Sequence, residues 1–153
     1  MTTNQVDRTH EVEVERTYNA PIDRVWAYFT EPELMEKWAG GDIYEHVDTD
    51  VDFRVGGVLH MRVLDPKENK TWIFHGVYHE IEDRKMVKYT FDWKHDWRED
   101  PSPHFVTNFF DGDENSTTIR IKHEGLSEEG AKGVGYHLGH FLEFLQPLLE
   151  GEQ

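Results

Sequence analysis

From residue 43 to residue 124 the chain reads as one strand pattern after another, and a single long helical pattern follows. That order constrains the fold more than any other feature. Candidate strands cover residues 43–49, 51–55, 58–64, 72–82, 86–93, 105–111 and 117–124. Turn signals separate them: Gly56-Gly57 (read as a tight hairpin), Asp65-Pro66 to Asn69, Glu82-Asp83-Arg84, a polar stretch through Pro101 and Pro103, and Asp111-Gly112-Asp113. Connections this short suit an antiparallel meander rather than helix-linked parallel strands. After Ser127, an N-cap followed by Glu128 and Glu129, helical periodicity runs to about Glu150. Val134, Leu138, Phe141, Leu142, Leu145, Leu148 and Leu149 form its apolar stripe. A twisted sheet has one face to cover, and this helix is the only element large enough to cover it. Room left between the two would be a pocket.

Ahead of this block, residues 11–18 alternate as a strand, with Val12, Val14, Arg16 and Tyr18 on one face and glutamates on the other. Asn19-Ala20-Pro21 ends it, and Pro21 suits a first helical turn. Ile22, Val25, Trp26 and Phe29 then recur at helical spacing. Thr30-Glu31-Pro32-Glu33 reads as a capping box with Thr30 as N-cap, opening a second short helix with Leu34 and Trp38 inward and Gly40-Gly41 as its stop. In the long helix, Gly130, Gly133 and Gly135 each weaken helix propensity by ~1 kcal/mol relative to alanine, so regular helix is expected only from about Gly135. Pro147 is expected to kink or end it.

Charge excludes some partners. The chain carries 31 acidic and 16 basic residues, a net charge of −15 with neutral histidines. Such a surface repels phosphate backbones and anionic lipid heads, so no nucleic-acid partner is expected. The excess reads either as a well-solvated surface or as adaptation to high salt. With no cysteine there is no disulfide, thiolate metal site or thiol nucleophile, which fits a reducing compartment. The polar N-terminus lacks a signal-peptide pattern, and no apolar run approaches the ~20 residues of a membrane span. The expectation is a cytoplasmic protein without membrane insertion. With no repeat or linker, one domain is expected over residues 1–153, ordered from about 10 to 150.

Several segments together resemble a known family. They are Ala20-Pro21-Ile22-Asp23-Arg24-Val25-Trp26, Thr30-Glu31-Pro32-Glu33-Leu34 with Lys37-Trp38, Asp52-Phe53-Arg54-Val55-Gly56-Gly57 with Met61, Phe74-His75-Gly76-Val77-Tyr78 with Ile81, and His123-Glu124-Gly125-Leu126 with Gly135-Tyr136. In this order they are similar to the Hsp90 ATPase activator C-terminal domain, the AHSA1-like family of the START/Bet v 1-like (SRPBCC) superfamily. Tyr136 departs from it, standing where that family usually has tryptophan. The resemblance implies an α+β, helix-grip (Bet v 1-like) fold: a twisted antiparallel sheet wrapped around a long C-terminal helix, with two short helices after strand 1. It also implies a hydrophobic cavity, but no single activity.

Alternation suggests which side chains face inward: Val87, Tyr89, Phe91 and Trp93; Phe105, Thr107 and Phe109; Ile119, Ile121 and His123. Trp38, Tyr89, Trp93 and Phe109, with Tyr136, His140 and Phe141 from the long helix, are the expected walls and polar anchors of a ligand site. The leading function is binding of a hydrophobic or aromatic small molecule such as a lipid or polyketide. Two alternatives stand beside it: a cyclase- or hydrolase-like enzyme using one polar residue in the cavity, and a chaperone-associated interaction module. No nucleophile-elbow motif surrounds Ser102, Ser116 or Ser127, so no catalytic residue is named. His75 and His79, and His137 and His140, are spaced as neighbours, but a metal site needs three or four ligands. No metal or cofactor is expected. Arg62 and His60 alternate with apolar neighbours and are expected to face solvent.

Overall fold

The structure, a computed structural model, describes residues 9–38, 44–95, 98–99 and 104–151, without the side chains of 92–95, 98–99 and 104. The chain runs β1 (His10–Tyr18), α1 (Ile22–Thr30), α2 (Pro32–Trp38), β2 (Glu45–Val51), β3 (Val58–Asp65), β4 (Lys70–Glu82), β5 (Met86–His95), β6 (Arg98–Glu99), β7 (His104–Gly112), β8 (Thr117–Leu126) and α3 (Glu128–Gly151). The strands form one antiparallel sheet in the order β1-β8-β7-β5-β4-β3-β2, and the two-residue β6 pairs with β5. It is a meander whose first strand returns to pair with its last. α3 lies against β1 and β8 and touches α2, which gives the helix-grip arrangement.

The local chemistry accounts for most boundaries. Glu31, preceding Pro32, is extended at φ −101° and ψ 126° and separates α1 from α2, as the steric demand of proline requires. Thr30 is therefore the last residue of α1 rather than the N-cap of α2. Its hydroxyl donates back to the Trp26 carbonyl at 2.9 Å, so the expected capping box does not form. The expected strands at 43–49 and 51–55 are one strand, β2, ending at Val51. Asp52 to Gly57 close the hairpin instead: Gly57 N donates to the Arg54 carbonyl, and Gly56 adopts φ +88°, open to glycine at no steric cost. The expected stop at Gly40-Gly41 and the Pro101–Pro103 stretch lie outside the described residues.

α3 is helical over its whole length, including Gly130 to Gly135 and Pro147, contrary to the expected irregular start and early end. Packing outweighs propensity. Ser127 caps the start, with Oγ accepting from Gly130 N at 3.0 Å. Leu142, Leu145 and Leu149 are fully buried. The Tyr18 hydroxyl donates to the Leu142 carbonyl at 2.8 Å, and Arg24 Nη1 donates to the Leu149 carbonyl at 2.8 Å. These side chains hold the turns around Pro147, whose missing N–H leaves a carbonyl one turn back without its usual donor. Gly133 remains a weak point: a Cβ added there meets nothing within 4 Å. Gly133→Ala is expected to stabilise the fold by about 0.5–1 kcal/mol in denaturant unfolding.

The core sits at the α1 end, where Trp26 meets Phe110 edge-on at 5.0 Å and Phe53 at 5.9 Å, and Phe29 meets Phe110 at 5.5 Å. Tyr18, Ile119, Leu145 and Leu149 complete it. Away from this end the sheet and helix separate.

Candidate functional site

Between α3 and the curved middle of the sheet lies a cavity of about 500 Å³, within the range of small-molecule sites. The sheet supplies its floor through strand alternation. Antiparallel partners share a face, so the pairs Tyr78↔Tyr89, Tyr89↔Val106 and Val106↔His123 carry one inward row across four strands. Asn108↔Ile121 is the next row toward the core. Trp72 stacks on Phe74 at 6.4 Å, Phe74 on Phe91 at 5.4 Å, and Phe91 meets His123 edge-on at 5.6 Å. This ladder makes an aromatic wall. Gly76 sits between Phe74 and Tyr78 on β4, where a Cβ would fall 1.9 Å from the Thr90 carbonyl. Only glycine permits β4 and β5 to approach so closely behind the wall.

α1 and α2 close one end with Phe29, Met35 and Trp38. The Trp38 ring is fixed twice: Nε1 donates to the Tyr28 carbonyl at 2.9 Å, and Phe29 packs against it at 5.0 Å. The roof is the first half of α3, with Gly130, Gly133, Val134, His137, Leu138 and Phe141. Tyr44 meets His137 at 6.2 Å, and Ser127 and Glu129 also belong to the lining. No Lys or Arg lines the cavity among the described residues.

The most deeply buried polar side chains of the lining are Tyr78, Asn108 and His123. Tyr78 is 2% exposed and Asn108 4%. Burial, with a smaller contribution from Tyr89, raises the Tyr78 phenol well above its ordinary range. Burial pushes Tyr89 up to about 12, opposed by a hydrogen bond from the Asn108 side chain. These phenols are neutral donors at any physiological pH.

The seven residues expected to form the site divide. Trp38, Tyr89 and Phe141 line the cavity. Trp93 lies on β5 opposite Phe74, and its side chain is outside the described residues. Phe109, Tyr136 and His140 do not line it. β7 turns Val106, Asn108 and Phe110 inward, and Phe105, Thr107 and Phe109 to the other face. There Arg120 covers the Phe109 ring at 4.1 Å and Lys88 covers Phe105 at 5.3 Å. At about 100° per residue, Tyr136 and His140 fall on the side of α3 away from Leu138, Leu142 and Leu145. Tyr136 is 67% exposed, with its ring parallel to His140 at 6.5 Å.

Tyr78, Asn108 and the Trp72–Phe74 pair were not singled out by sequence reasoning. Phe110 shares the parity of Asn108, and its packing against Trp26 is the signal that sets the β7 register. On the outer face, Arg62 is paired with Asp48, His75 faces His60 at 6.0 Å, and His79 lies against Phe105 at 5.6 Å. Among the described residues, no group of three or more His, Cys, Asp or Glu is arranged to hold a metal ion. No helix of the described residues is long and apolar enough to cross a membrane.

A curved antiparallel sheet gripping one long helix over an apolar cavity defines a helix-grip domain of the Bet v 1-like type. The family model for Activator of Hsp90 ATPase homolog 1-like protein matches residues 19–150, and the chain belongs to that family. Solved structures agree on the fold. Protein CV1439 from Chromobacterium violaceum is 23% identical with a TM-score of 0.79, covering 93% of this chain and 98% of its own. A protein from Rhizobium leguminosarum is 22% identical at 0.79, covering 99% and 100%. CalU16 from Micromonospora echinospora is 20% identical at 0.67, covering 90% and 74%. No curated protein matches the chain.

Proposed function

We propose that this protein binds a hydrophobic or aromatic small molecule, such as a lipid or polyketide, inside the cavity. The observation that carries this reading is a space of about 500 Å³ walled by aromatic and aliphatic side chains. Each ~100 Å² of apolar ligand surface removed from water contributes ~2.5 kcal/mol before the costs of association. The stacked Trp72, Phe74 and Phe91 favour flat rings.

A screen of lipids, polyketides and flavonoids by ligand-induced chemical-shift change tests the reading. Binders are expected to perturb Trp38, Trp72, Tyr89 and Phe141. A screen in which no compound perturbs any of these four would sink it. Gly133→Trp is expected to place an indole in the roof and weaken any such ligand by about 100-fold, the equivalent of ~100 Å² of lost contact. Tyr136→Ala, at an exposed ring outside the cavity lining, is expected to leave affinity within about twofold. Titration calorimetry distinguishes the two variants.

A further inference from the structure

The cavity has two chemically distinct ends. At one end Trp72, Phe74 and Phe91 form the aromatic wall. The other end lies against the core: the Tyr78 ring meets Phe53 at 5.1 Å, and Asn108 sits between Val106 and Phe110, both core residues. Here Tyr78 Oη and Asn108 Oδ1 are buried without a hydrogen-bond partner among the described residues. Both residues line the cavity. A buried polar group left unpaired is costly, and folded proteins keep few of them. Tyr89 brings the two together in one recess: its ring meets Tyr78 at 5.8 Å and its phenol is hydrogen-bonded by Asn108.

We propose that this recess recognises the hydroxyl group of a neutral, otherwise apolar ring compound, and that the aromatic wall holds the ring. Tyr78 O–H donates to the ligand oxygen, and the ligand O–H donates to Asn108 Oδ1. The Asn108 amide nitrogen is engaged by Tyr89, which fixes the direction in which Oδ1 is offered. A hydroxyl suits the pair because it donates and accepts at once. A carboxylate does not: once ionised it only accepts, so it cannot donate to Asn108 Oδ1. The inference rests on the proposed ligand-binding role and adds the class of ligand.

The test compares 2-naphthol with 2-methylnaphthalene, which replaces hydroxyl by methyl at similar size. Each displaces the neutral dye N-phenyl-1-naphthylamine from the full-length protein at pH 7. The naphthol is expected to bind about tenfold tighter than its methyl analogue. In Tyr78→Phe the two are expected to bind within about twofold of each other. Asn108→Leu removes the acceptor and is expected to give the same loss of preference, so the result does not hang on one variant folding. Naphthalenes bound without preference by the parent protein, or a preference kept in both variants, would overturn the hydroxyl recess and leave the cavity reading standing. Failure of the dye and both naphthalenes to bind the parent protein would overturn both readings.

Discussion

Raising the pH from about 9 to about 12 is expected to unfold this protein, with stability falling by up to ~4 kcal/mol per pH unit above pH ~10. Three buried tyrosines drive the loss. Burial raises the Tyr18 phenol far above its ordinary range, opposed by Arg16 and reinforced by Glu150. Burial likewise raises Tyr78, and takes Tyr89 to about 12. In the unfolded chain each phenol ionises near its ordinary value of ~10. Above that pH the native state still holds protons that the unfolded state has released. The sign is therefore fixed: the contribution is complete below pH ~10 and is lost as pH climbs toward the folded-state values. One tyrosine gives at most ~1.4 kcal/mol per unit, and three give ~4, against a total stability of ~5–15 kcal/mol. Urea unfolding between pH 8 and pH 12 measures this. Tyr78→Phe should lose about one third of the slope; a stability that stays level through pH 12 would refute the assignment.

The second large effect lies in α3. Leu145→Ala is expected to cost about 3 kcal/mol and lower the melting temperature by about 10 °C. Leu145 is fully buried and belongs to the core shared by the sheet, α1 and α3. Trimming its isobutyl group to a methyl leaves a void that strands and helix together cannot close. Leu148, only partly buried at the margin of the same core, should cost less than half as much on truncation to alanine. Equal losses at the two positions in calorimetry would mean that the helix is seated differently.

The fold was legible because its signals are of long range in sequence. Alternation in β1, β5 and β8 and the stripe from Leu138 to Leu149 are carried by many residues at once, so no single ambiguous position can spoil them. The cavity was legible only in part, because a site depends on individual directions. β7 carries phenylalanine on both faces, at 105 and 109 and again at 110, and periodicity alone cannot choose between them. Arginine and lysine over the outer rings let Phe105 and Phe109 stay there. Tyr136 was placed inward by analogy with a tryptophan in relatives, whereas the helical angle from Leu142 turns it to solvent. Tyr78 stands out in the sequence only within the segment from Phe74 to Tyr78 that carries the family resemblance. Its significance comes from having no partner, a property that exists only once its surroundings do.

α3 is anchored unequally. Tyr18, Arg24 and the Asn19 amide, which donates to Glu150 at 2.8 Å, fasten its second half to the end of β1, the turn that follows and α1. Its first third roofs the cavity and carries Gly130, Gly133 and Gly135. Amide exchange along this single helix should therefore be graded, fastest near Gly133 and slowest near Leu145. A cargo seated beneath the loose end would slow exchange there first, so deuterium uptake at that one place reports occupancy without any knowledge of what the cargo is.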